Sequence, residues 1–121
     1  MNKEEKISLF ANRVRQVELW CRARHEFPMA VKWVFKSMPL DEYGETFIEE
    51  KPRQHARIEL NYRQNIRELE DTAIHELCHV YLHPVEDLMG QDLHGTVFWW
   101  LYKKFYDQFY TEGGCEISKR L

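Results

Sequence analysis

The chain has 121 residues and a formal net charge of −3, with 44% hydrophobic and 31% charged residues. That length can bury a core without disulfides and fits one domain. The charge balance excludes a domain-wide basic footprint for nucleic acid.

The chain opens MNKEEKISLF, without the apolar core or small-residue cleavage site of a secretory signal. No apolar run approaches the ~20 residues of a membrane span, so no membrane association is expected. Residues 4–25 then read as an amphipathic helix, since Ile7, Phe10, Val14, Val17 and Cys21 recur at three- and four-residue spacing. Arg13, Arg15, Arg22 and Arg24 cluster on it and leave DNA as a partner to test. Pro28 stops the helix. Residues 29–36 (MAVKWVFK) read as a strand with Val31, Trp33 and Phe35 on one face. Pro39 and Asp41–Gly44 mark a turn, residues 45–50 a weaker strand around Phe47 and Ile48, and Lys51-Pro52 the next turn.

Residues 55–62 give the clearest strand. Ala56, Ile58, Leu60 and Tyr62 alternate with Arg57, Glu59 and Asn61, which predicts one core face and one solvent face. A helix follows from 66 to 83 and is closed by Pro84; residues 84–93 read as a polar loop. The last helix, 95–110, is heavily aromatic, and the tail 111–121 with Gly113-Gly114 reads as loosely held. Chain order predicts an α+β fold: an N-terminal helix, a three-stranded antiparallel meander and two further helices.

The helix at 66–83 contains His75-Glu76-Leu77-Cys78-His79, an H-E-x-x-H pattern. Histidines four apart share a helix face and can reach one metal ion, and the glutamate between them is placed to take a proton from an activated water. At ~100° per residue, Ile66, Leu69, Ala73, Leu77 and Val80 form one arc while His75 and His79 face elsewhere. Histidines that merely fill a core would share the apolar arc.

A catalytic zinc commonly keeps three protein ligands. Candidates for the third are His83, Glu86, Asp87, Asp92 and His94. His83 lies two turns from His75, about 12 Å along the axis, which is too far for one ion. His94 is preferred because it heads the last helix, whose N-terminus favours the neutral, metal-binding imidazole. Gly95 lets that helix start close to its neighbour.

The runs Ile58-Glu59-Leu60-Asn61, His75-Glu76-Leu77-Cys78-His79 and His94-Gly95-Thr96-Val97-Phe98 together resemble the SprT-like (Spartan-type) metallopeptidases over roughly residues 55–100. The resemblance implies a zincin-like domain in which Zn²⁺ is held by His75, His79 and His94, with Glu76 as general base. It implies hydrolysis of peptide bonds in a protein or peptide substrate. Relatives often continue into a zinc ribbon or DNA-binding segments; only Cys115 follows the last helix here, so a single domain over 1–121 is expected.

Tyr81, Tyr102 and Tyr106 are candidates for a second oxyanion stabiliser, and the pattern alone does not choose among them. The strand at 55–62 reads equally as an edge that pairs with an extended substrate or as an interior strand. On the last helix, Phe98, Leu101, Phe105 and Phe109 read as core; Trp99, Tyr102, Tyr106 and Tyr110 read as a second buried face, a substrate wall or a partner surface. Cys21, Cys78 and Cys115 include no C-x-x-C pair, which fits a reducing, cytoplasmic setting. A non-catalytic zinc-binding adaptor and a DNA-associated module are the alternatives to a peptidase.

Overall fold

A computed structural model of the chain describes residues 2–89, with side chains to residue 85, and residues 95–112. The elements are α1 (Lys3–Arg22), β1 (Ala30–Lys36), β2 (Gly44–Glu49), β3 (His55–Asn61), α2 (Ile66–Met89) and α3 (Thr96–Thr111). The fold is α+β, as the pattern predicts.

Local chemistry sets the helix starts. The Asn2 side chain caps α1 by accepting from the Glu5 N–H at 2.8 Å. Asn65 and Glu68 form a reciprocal capping box at the head of α2: the Glu68 N–H donates to Asn65 Oδ1 (2.8 Å) and the Asn65 N–H to Glu68 Oε1 (3.0 Å). Gly95 is the N-cap of α3.

α2 is the hub. It packs against β2 and β3 on one side and against α1 and α3 on the others. Its Leu69, Ala73, Ile74, Leu77 and Val80 are fully buried, beside Val14 and Val17 of α1 and Phe105 and Phe109 of α3. Phe98, Leu101, Phe105 and Phe109 form the core stripe expected of α3. Arg13 of α1 reaches the buried Glu70 of α2 at 3.6 Å, so that carboxylate enters the core with a cation beside it.

The antiparallel meander does not form. The strand order is β1-β3-β2, with β1 parallel and β2 antiparallel to β3. Strands adjacent in the chain usually pair, and a reading by chain order places β2 in the centre. Instead residues 37–43 cross the end of β3, a span of about 10 Å or two inter-strand spacings.

Asn61, the last residue of β3, makes that crossing stable. Its Nδ2 donates to the carbonyls of Met38 (3.3 Å), Pro39 (3.1 Å) and Glu42 (2.7 Å), and its Oδ1 accepts from the Met38 N–H (3.3 Å). Gln64 adds a bond to the Tyr43 carbonyl (3.0 Å) and accepts from Thr72 Oγ1 (2.9 Å), which ties the crossing to α2.

β3 is therefore an interior strand, and the edge-strand reading of residues 55–62 is overturned; β1 and β2 are the edges. The predicted solvent face of β3 is also largely covered. Asn61 lies under the crossing segment, and Glu59 is buried between Arg57 and Lys36, whose Nζ is 2.8 Å away. A second correction concerns α2, which continues through Pro84 to Met89 instead of ending before it. A proline removes one N–H from the ladder, and residues 85–89 resume the helix. Among the described residues no helix is long and apolar enough to cross a membrane.

Candidate metal centre

The site is built where α2 faces both α3 and β2. The apolar arc of α2 is held in the core, and this turns His75 and His79 to a different side, as the wheel requires. The imidazole rings stand 5.1 Å apart, and ligand atoms from His75, Glu76 and His79 all lie within 4.8 Å of one another. Two imidazoles and a carboxylate at that spacing can hold a metal ion, and nitrogen donors of this kind suit zinc and other late first-row cations.

Phe98, one turn into α3, packs against both rings. It is stacked on His79 at 4.3 Å and edge-on to His75 at 4.9 Å. The helix that follows residue 94 thus begins against the histidine pair. His94 itself lies outside the described residues, as do Asp92 and Cys115. Glu86 and Asp87 belong to the part of α2 whose side chains are not described. His83 is described and is not part of the metal-competent group.

Glu76 is 5% exposed. Thr46 Oγ1, from β2, donates a 2.8 Å hydrogen bond to its Oε1, and Oε2 lies 3.8 Å from His75 Nε2. Burial pushes the Glu76 carboxyl up to about 7; the Thr46 bond opposes the rise and Glu45 adds to it. The register explains the contact. Thr46 pairs with Ile58, whose side chain is buried on the face that packs on α2.

Gly44 permits the approach. A Cβ there would lie 2.8 Å from Leu60 Cδ2, 2.9 Å from the Glu59 carbonyl and 2.9 Å from Thr72 Cγ2. Sequence reasoning missed Thr46. The available signal was a hydroxyl two residues before Ile48 on the inward register of a short strand.

A cleft of about 890 Å³ opens beside this group. The crossing segment forms one wall with Met38, Pro39 and Tyr43; His75, Glu76 and Tyr102 form the other. Of the three tyrosines singled out in the sequence, Tyr81 packs against His25, Phe27 and Phe105, away from the cleft lining. Tyr106 accepts a 2.7 Å bond from Arg67. Tyr102 lines the cleft with its ring 5.4 Å from that of His75, and burial pushes its phenol up to about 12.

Three of the four clustered arginines and two further histidines have structural partners, while Arg15 is exposed. Arg13 pairs with Glu70, Arg22 with Glu18 and the Met29 carbonyl, and Arg24 stacks on Trp20 at 3.6 Å. His25 bonds Gln108 (2.9 Å) and His55 the Arg53 carbonyl (2.8 Å). Cys21 and Cys78 are buried free thiols, and burial raises both thiol pKa values. No protein-family model, characterised protein or solved structure matches the chain.

Proposed function

We propose that the chain is a zinc-dependent metallopeptidase of the SprT-like type, with His75, His79 and His94 as ligands and Glu76 as general base. One observation carries the reading. A buried carboxylate sits between two imidazoles on one helix turn, held by a second element at the wall of an open cleft. A histidine pair present only for packing needs neither the cleft nor the held carboxylate.

Bound zinc would supply Lewis acidity toward a water and a scissile carbonyl. The chain's own residues do the rest. Glu76 takes the proton of the attacking water as the new O–C bond forms, and returns it to the leaving nitrogen as the C–N bond breaks. A carboxylate held in place beside the imidazole pair is suited to both steps. Thr46 fixes the carboxylate by one oxygen and leaves the other facing the imidazole pair. The edge of β2 that pairs with no strand among the described residues, beside Gly44 and Glu45 in the cleft wall, can align an extended peptide by backbone pairing.

The substrate class is an unfolded or flexible segment of protein. The buried thiols accord with a reducing, cytoplasmic setting. Zinc-loaded wild type is expected to cleave unfolded casein and Glu76→Gln to lose that activity while keeping its zinc. Equal cleavage by the two proteins would remove the catalytic role of Glu76.

A further inference from the structure

We propose that Tyr102 is a catalytic residue of this site, its phenolic hydroxyl donating a hydrogen bond to the substrate's carbonyl oxygen as that oxygen gathers negative charge. The inference rests on the peptidase reading and names the group of the chain that stabilises the oxyanion.

Tyr102, Tyr106 and Tyr110 recur every four residues along α3, and their rings form a ladder with centroid spacings of 6.0 and 4.6 Å. Two of the three hydroxyls are committed. Tyr106 accepts from Arg67 Nη2 at 2.7 Å, and Tyr110 donates to Asp71 Oδ1 at 2.7 Å. The hydroxyl of Tyr102 has no hydrogen-bond partner among the described residues, and Tyr102 is the one that lines the cleft with His75 and Glu76.

The Tyr102 hydroxyl opens on the cleft, where a bound substrate can take the hydrogen bond that water otherwise fills. The ring is held on several sides: His75 at 5.4 Å, Trp99 at 5.9 Å and Tyr106 at 6.0 Å. Arg67 and Asp71 anchor the far end of the ladder. A donor fixed before the reaction starts is what stabilises a developing oxyanion most effectively, because no reorganisation is required as charge builds. When the water oxygen bonds to the carbonyl carbon, the π pair of the C=O moves onto its oxygen. The phenol O–H bonds that oxygen and keeps its own proton throughout.

The test compares Tyr102→Phe with Tyr81→Phe in zinc-loaded protein acting on fluorescein-labelled casein. Removing one oxyanion donor lowers kcat by roughly 10²–10³-fold, so Tyr102→Phe is expected to fall by that factor with little change in KM or zinc content. Tyr81→Phe, which packs against His25, Phe27 and Phe105 away from the cleft lining, is expected to keep wild-type kcat. A second readout is inhibitor binding. A phosphinic tripeptide, which carries the tetrahedral oxygens of the transition state, is expected to weaken against Tyr102→Phe, whereas acetohydroxamate is expected to bind both proteins alike. Wild-type kcat in Tyr102→Phe, or equal weakening of the two inhibitors, overturns the role of Tyr102 while Glu76→Gln still reports on the peptidase reading. No casein cleavage by zinc-loaded wild type overturns both.

Discussion

Thr46 Oγ1 and Glu76 Oε1 are 2.8 Å apart, so an edge strand and the H-E-x-x-H helix are joined through the carboxylate itself. The bond links register to chemistry: β2 pairs with β3 so that Thr46 meets Glu76. Replacing Thr46 with Val keeps the shape and removes the donor. A hydrogen bond to a charged group contributes about 1.5–3 kcal/mol, so kcat is expected to fall roughly tenfold or more. Zinc affinity is expected to hold, because neither histidine is touched. Thr46→Ser restores the hydroxyl and is expected to restore turnover; failure of that rescue would assign the loss to packing.

The same carboxyl makes the metal-free protein sensitive to pH. The Glu76 carboxyl titrates near 4.5 in the unfolded chain and at about 7 in the fold. Below the lower value both states hold the proton and the contribution to stability is complete. Between the two, the unfolded chain releases a proton that the folded chain keeps, and stability falls by about 1.4 kcal/mol per pH unit. Above the upper value the loss levels at about 3 kcal/mol. Urea unfolding of metal-free wild type and Glu76→Gln across this range should show the wild type losing stability relative to the variant as pH rises. Parallel curves would show that Glu76 does not titrate in this window.

Much of the candidate site was legible because it is local. His75, Glu76 and His79 lie within one helical turn, and the apolar arc of α2 fixes which way they face. The strands and helices were legible for the same reason, as were the core roles of Phe98, Leu101, Phe105 and Phe109. What the pattern hid was non-local. The position of β3 between β1 and β2 depends on Asn61 bonding backbone carbonyls 19 to 23 residues away. In the sequence that residue is one more polar member of an alternating strand. Thr46 was hidden likewise, since its partner lies 30 residues on. Pro84 misled because helix-breaking at proline is a preference and not a rule, and α2 runs through it.

Gly44 tests whether the close approach of β2 to α2 matters. An added methyl would need its neighbours to move by several tenths of an ångström, and one of them is the Glu59 backbone carbonyl, which cannot swing aside. Overpacking of this kind costs typically 1–3 kcal/mol. Gly44→Ala should therefore lower the denaturant midpoint and, by pushing β2 outward, weaken the Thr46–Glu76 bond. Because Thr46→Val has already lost that bond, the two substitutions should be less than additive in their effect on turnover. Full additivity would separate the glycine from the Glu76 carboxylate.

Asn61 is the keystone of the crossing segment, and its side chain is 2% exposed with both amide atoms engaged. Asn61→Leu leaves the Met38, Pro39 and Glu42 carbonyls and the Met38 N–H without those partners. Each buried polar group left unsatisfied costs about 1–3 kcal/mol, though carbonyls at the cleft recover part of this from water. A net loss of several kcal/mol is expected. Hydrogen exchange should report it first at residues 37–43, before β3 or α2. Uniform acceleration across the sheet would mean that Asn61 supports the whole fold and not this segment in particular.

The third ligand is decided by metal affinity. His83 stands outside the group formed by His75, Glu76 and His79, while Phe98 brings the first turn of α3 against both imidazoles. The donor completing the site should therefore come from the segment entering α3, which ends in His94-Gly95. Zinc bound by protein ligands is held with roughly 10–16 kcal/mol, so losing one ligand of three should weaken Kd by at least about a hundredfold. His94→Ala, His75→Ala and His79→Ala are each expected to show this in competition with a chelator, and to lack the rise in Tm with zinc that is expected of the wild type. His83→Ala is expected to bind zinc as the wild type does. If His94→Ala kept its affinity while Glu86→Gln, Asp87→Asn or Asp92→Asn lost it, the ligand would be a carboxylate from the end of α2 or the segment after it.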